Sequence, residues 1–346
     1  MSENFFIYQL YQRLRSISLS DALTAFDDLR EDSLTPEIAD KYFGSFGVGN
    51  IPQEINAPYE RFICYEFLLN LLSHRSKSKF QKIHKGTPYY FLAWTAFEVG
   101  DYEKALFYMD ATIAEDMRIP LWDWKNTPIG RMLTLAVGGT AWRVGLKLRE
   151  SFQALLAVFN TEFSLQIKPD QFVSKFVLPL IEQDKRDRSI VTSLYSFILE
   201  FYDRREMLSL RSSEGGTIEP FLMHLLKGTV IFETLIKKIA AQRSWSMDSG
   251  TNTGSQIKTL GNLNYCSSFT SNYCLLQKQA PIATIGDILT QTFANKTEEA
   301  INTVYFLRNK IAHDLRWDDI FTADNYEKLF RQIINAVLIV IHKEFP

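Results

Sequence analysis

Apolar residues recur at three- and four-residue intervals along most of this chain, the spacing of one buried face on an α-helix. Phe62, Tyr65, Leu68 or Leu69, and Leu72 mark such a helix over residues 57–73. The same signal predicts helices over 3–15, 20–30, 128–160, 171–181, 189–208, 221–241, 285–293, 297–313 and 323–343. In the last of these Leu329, Phe330, Ile333, Val337 and Ile341 form the inner side. No βαβ alternation interrupts the series, so the predicted class is all-α. The breaks matter as much as the runs. Residues 43–52 hold three glycines and a proline and read as a loop; Gly44, Gly47 and Gly49 lack the Gly-Lys-Ser/Thr and preceding strand of a phosphate loop. The mixed charges of Glu182–Arg188 suit a solvated turn. Ser209–Pro220, rich in Gly, Ser and Thr, reads as a domain boundary. The expected organisation is a helical recognition or regulatory domain over 1–210 and a bundle of four or five helices over 220–346. A long polar insertion at about 242–280 has no sustained period. It reads as disorder, a substrate-facing flap or a weakly patterned strand pair.

Residues 88–116 carry the clearest supersecondary signal. Small Ala93 and Ala96 lie on a first helix, Gly100-Asp101 makes a turn, and Tyr102, Ala105 and Met109 lie on a second. Small residues facing one another let two helices approach closely. The segment resembles one tetratricopeptide repeat, with Gly100, Tyr102 and Ala105 in the family's glycine, aromatic and alanine places. After it, Ile119–Pro128 is a loop with two tryptophans, Trp122 and Trp124, whose rings either plug a core or offer a ligand-stacking surface.

Composition narrows the function classes. The 346 residues hold 38 Lys+Arg against 40 Asp+Glu, a net charge of −2, so the whole molecule is no electrostatic nucleic-acid binder and any such contact must be a local patch. The 26 Phe and 15 Tyr favour thick helix packing or an aromatic interface. Cys64, Cys266 and Cys274 make no disulfide framework and have no histidines at zinc spacing. The start of the chain lacks a basic-then-apolar leader, and the apolar run 333–341 is too short to span a bilayer. The expectation is a cytoplasmic protein with no membrane contact.

Candidate chemistry gathers near the C-terminus. Ile301, Tyr305, Arg308 and Ala312 share one helical stripe, so Arg308 occupies a slot that the pattern reserves for an apolar side chain. A guanidinium stays charged, so it needs an internal carboxylate such as Glu233, an interface or a substrate anion. His313 follows five residues later, about 140° around an ideal helix, and Asn309 lies one turn before it. An acid/base, a fixed cation and an amide suit phosphodiester cleavage in RNA without a cofactor or metal. His313 is equally placed to cap free carbonyls at a helix end. Elsewhere His74, Arg75, Lys77, Lys79 and Lys82 make the most cationic segment, either an RNA contact or a solvated loop. His224 and His342, on apolar helices, read as satisfied core or rim residues.

Arg308-Asn309-Lys310-Ile311-Ala312-His313 resembles the Arg-x4-His signature of the HEPN superfamily, with asparagine after the arginine and a small residue before the histidine. Phe232–Lys237 resembles the first-helix segment of those domains. The resemblance spans roughly 220–346 and implies a HEPN-like bundle of four or five helices that dimerises so that two signatures face one cleft. It further implies a metal-independent endoribonuclease acting on single-stranded RNA, as in phage defence or toxin–antitoxin pairs. Arg308 and His313 would be catalytic, Asn309 and Glu233 would support them, and Lys310 would meet substrate. The alternative is a non-catalytic HEPN-like interaction or nucleotide-binding module, an adaptor or antitoxin-like protein whose N-terminal helices take a protein partner.

Overall fold

The structure, a computed structural model, describes residues 62, 66, 69, 70, 73, 80–136, 143–211, 215–248, 254–273, 284–313 and 321–345. The expected helices at 3–15 and 20–30, the glycine loop at 43–52, and His74, Arg75, Lys77 and Lys79 lie outside the described residues. The described residues are all-α; their one extended pairing is a single antiparallel bridge between Ser246 and Gln256. Packing divides the chain into two compact units, Met1–Leu146 and Lys147–Pro346.

In the first unit α1 (Gly86–Glu98) packs against α2 (Tyr102–Met117). Gly100 takes a φ of +77°, which a side chain would resist, and Asp101 accepts a hydrogen bond from the Lys104 amide to cap α2. Ala93, Ala96, Ala105 and Met109 are buried, as the small-residue pattern predicts. The tryptophan loop then makes a 3-10 turn at Trp124–Asn126, and Thr127 caps the short α3 (Pro128–Leu133). Trp124 is buried in packing. Trp122 is not.

The second unit begins within α4 (Arg143–Phe163), whose Leu148, Phe152, Leu156 and Phe159 make its buried stripe. α5 (Pro169–Phe172) runs through a π-type turn at Val173–Val177 into α6 (Leu178–Gln183). Pro179 explains the widened turn, because it has no amide to continue the usual ladder. Four long helices follow: α7 (Lys185–Ser209), α8 (Glu219–Gln242), α11 (Lys296–His313) and α12 (Ala323–Glu344). α8 packs on α7, α11 and α12, and α12 also touches α7 and α11. Their core is aromatic. Phe201 stacks on Phe330 at 3.8 Å between centroids, and Phe197 stacks on His224 at 4.3 Å. Gly228 makes the close approach possible: a Cβ there would sit 2.4 Å from Phe197 Cζ and 2.8 Å from Ile333 Cγ2.

One expectation needs correcting. The break between compact units does not fall at 209–220; α7, assigned to the N-terminal side, packs on α8 and supplies the fourth long helix of the second unit. The Gly/Ser/Thr run there is a connection between packed neighbours, and composition alone does not separate that from a linker. The described part of the 242–280 interval, residues 242–248 and 254–273, carries regular structure. It holds a 3-10 turn at Leu260–Tyr265 and α9 (Ser267–Tyr273), and buries Met247, Ile257, Leu260, Leu263, Cys266 and Phe269. The Tyr273 hydroxyl donates to Glu344 at 2.6 Å, tying α9 to the end of α12. Between it and α11 lies α10 (Ile285–Thr290), opened by a Thr284–Asp287 capping box.

Two polar clusters in the core of the second unit are internally paired. The Phe197 carbonyl can only accept, so the proton 2.9 Å away belongs to His224 Nε2; Nδ1 then accepts from the Tyr326 hydroxyl at 2.6 Å. Burial drives the His224 pKa down to about 3, against the opposing pull of Glu200, and the ring stays neutral. Glu200 is buried among Ser196, Lys227 and Arg204. Burial, the largest single influence, would raise its carboxyl, but the nearby charge of Lys227 and the hydrogen bonds from Lys227 and Ser196 together outweigh it and the pKa is lowered. His224 is thus a core residue, whereas His342 is exposed.

Candidate functional site

α11 is a helix for local reasons. Asn295 Oδ1 accepts from the Glu298 amide at its start, and Glu298 and Glu299 place acid in the first turn. Its buried face is Ala300, Ile301, Val304, Leu307 and Ile311. That differs from the stripe expected through Tyr305, Arg308 and Ala312. Tyr305 is half-buried and Ala312 exposed, because contacts with α8 and α12 centre the buried arc one position away. Arg308 therefore stands at the edge of the core, with its side chain 29% exposed.

From α8, Glu233 meets it. Arg308 Nε donates to Glu233 Oε2 at 2.9 Å, and Lys237 Nζ sits 3.0 Å from Glu233 Oε1. Glu233 is only 7% exposed. Burial would raise its pKa, but hydrogen bonds from Lys237 and Arg308, with their charges, win and hold it below the usual carboxylate value. The carboxylate is thus ionised at neutral pH and grips the arginine through Nε, fixing the plane of the guanidinium. Lys237 was not singled out from the sequence; its place one turn after Glu233 on the same helix was the available signal.

Asn309 is exposed and Lys310 half-buried. His313 ends α11, and its side chain lies outside the described residues. The structure therefore brings together Arg308 and Glu233 of the expected set. Tyr305, one turn before Arg308, is hydrogen-bonded to Asn264, which links the polar interval to the same helix. Lys82 belongs to the first unit, where it is exposed and its carbonyl accepts from Arg118. Comparison of the chain with protein-family models, curated proteins and solved structures finds no match.

Chemically, a half-exposed arginine locked by a buried carboxylate presents a fixed positive charge beside an exposed amide. Such a group can bind a phosphate without reorganising, which is what stabilises charge that develops in a transition state. Among the described residues no helix is long and apolar enough to cross a membrane.

Proposed function

We propose that the last turn of α11 is a metal-independent RNA-cleaving site of the kind the HEPN resemblance implies. The observation that carries the reading is the Glu233 carboxylate, buried and ionised, holding Arg308 by Nε at the margin of the core. In the proposed reaction His313 removes the proton of a ribose 2′-hydroxyl, and that oxygen attacks the adjacent phosphorus. Arg308 offsets charge on the pentacoordinate phosphorane while Asn309 and Lys310 hold the strand. The 5′-oxygen leaves with a proton, giving a 2′,3′-cyclic phosphate and a 5′-hydroxyl end. Two copies of the helix facing each other would supply a second arginine, so the proposed assembly is a two-fold dimer through this face.

The same ion pair favours a second reading, in which Arg308 only braces α11 against α8 and the protein is a non-catalytic adaptor. One set of measurements separates the two. Under the first, the purified protein cuts single-stranded RNA in EDTA and sediments at micromolar concentration as twice 40.0 kDa. His313→Ala and Arg308→Lys then each lower cleavage by about 100-fold or more with the fold intact. Equal cutting by parent and His313→Ala rejects the site. Absence of turnover in every form, with Arg308→Ala less stable by about 1–3 kcal/mol, supports the brace.

A further inference from the structure

The first unit contains a cavity that the ribonuclease reading does not use. It has a volume of about 370 Å³, and its walls include His84, Gly86, Tyr90, Thr112, Asp116 and Trp122. Asp116, in the last turn of α2, is only 4% exposed, yet its carboxylate lines this space. Its Oδ1 lies 3.2 Å from His84 Nε2, within ion-pair reach. The contact is not a hydrogen bond, however, and that ring nitrogen is buried with no hydrogen-bond partner. A buried carboxylate and a buried ring nitrogen thus face one cavity without a directed bond between them. A buried ring nitrogen is costly to leave unmet and, beside a buried carboxylate, marks a place where a ligand completes the bonding.

The surroundings are built to keep it so. Glu115, next to Asp116, takes the nearby cations: Lys85 Nζ lies 3.1 Å and Arg118 Nη2 2.7 Å from its carboxylate, and it also accepts from the Lys85 amide at 3.0 Å. Arg118 further donates to the Ile83 carbonyl at 3.0 Å, pinning the turn that carries His84. Gly86 then admits the His84–Asp116 approach. A Cβ at that position would lie 2.4 Å from Asp116 Oδ1 and 2.5 Å from His84 Cε1. Trp122, left half-exposed by the loop, stands edge-on to the His84 ring at 4.6 Å between centroids. One of the two loop tryptophans plugs a core, and the other walls this cavity.

We propose that this cavity binds a small organic cation bearing N–H donors, with Asp116 as its counter-charge and Trp122 and Tyr90 as its aromatic walls. A carboxylate among aromatic rings attracts ammonium, amidinium or guanidinium groups through charge and ring quadrupole together, and it repels anions. Among the described residues no Lys or Arg lines the cavity. The volume suits a ligand of modest size and excludes a polymer.

The test is calorimetric titration of the full chain with benzamidine, its neutral isostere benzamide, and agmatine. At least one of the two cations should saturate a single site, with benzamide at least tenfold weaker than benzamidine. Asp116→Asn should weaken cation binding by tenfold or more, and Trp122→Ala by severalfold. Arg308→Ala, in the other unit, should leave it unchanged. Should Asp116→Asn fold poorly, the benzamide comparison on the parent chain and the half-exposed Trp122 variant carry the test alone. Equal affinity for benzamidine and benzamide, full affinity in Asp116→Asn, or no saturable binding of either cation by about 10 mM, a binding free energy weaker than about −3 kcal/mol, overturns the proposal. None of these outcomes depends on whether RNA is cut.

Discussion

Single residues differ in how plainly the sequence announces them. His224 is one whose environment sets a measurable property. Its pKa falls to about 3 on burial, while in the unfolded chain it titrates near the ordinary imidazole value of 6.5. The unfolded state therefore takes up the proton first as pH drops. Stability is present in full above about 6.5 and is lost as pH falls toward 3. Between pH 6.5 and 5.0 the loss amounts to about 2 kcal/mol, at about 1.4 kcal/mol per unit. Urea unfolding at pH 7.5 and 5.0 should show this extra loss in the parent and its absence in His224→Gln; equal losses would mean that the ring is already charged in the folded state. Glu200 acts in the same direction only below about 4.5, outside this window. Apolar flanks made His224 legible as a core residue. Arg308 was legible as misplaced, but not as an edge residue, because which third of a helix is buried depends on where its neighbours lie. Asp116 and His84 were not legible as a pair. They are far apart in sequence, and only the fold back of α2 beside the residue 80–85 turn brings them together.

At the scale of elements, periodicity did well where one face is apolar and poorly where it is not. The helices over 88–116, 221–241 and 323–343 fall where the spacing puts them. In the described part of the 242–280 interval the buried Ile257, Leu260, Leu263, Cys266 and Phe269 recur at every third residue, a short run that the surrounding Ser, Asn, Thr and Gly obscure in the sequence. Gly228 shows the reverse problem. Glycine inside a helix normally lowers stability relative to alanine by about 1 kcal/mol, so pattern alone recommends replacing it. The packing forbids that, since a methyl group would collide with Phe197 and Ile333. Gly228→Ala should cost about 1–3 kcal/mol, read as a lower urea midpoint with unchanged slope. A gain in stability would show that α7 and α12 have room to move apart.

On the scale of the whole molecule, the all-α class followed from the sequence, while the division into units did not. A stretch rich in Gly and Ser looks alike whether it joins two domains or two neighbouring helices, and only the matching faces of α7 and α8 tell them apart. Those faces are joined by the short stretch 210–218, whereas α11 returns to α8 only after the chain has traversed residues 243–295. Translated into time, this asymmetry orders assembly. A short connection closes at little entropic cost, so the α7–α8 pair can form early and the Glu233–Arg308 contact late. Stopped-flow refolding should find Gly228→Ala slow to fold, and Arg308→Ala folding at the parent rate but unfolding faster. The opposite pattern would place α11 in the nucleus. On this ordering the arginine reaches its carboxylate as one of the last events of folding, and leaves it among the first when the protein opens.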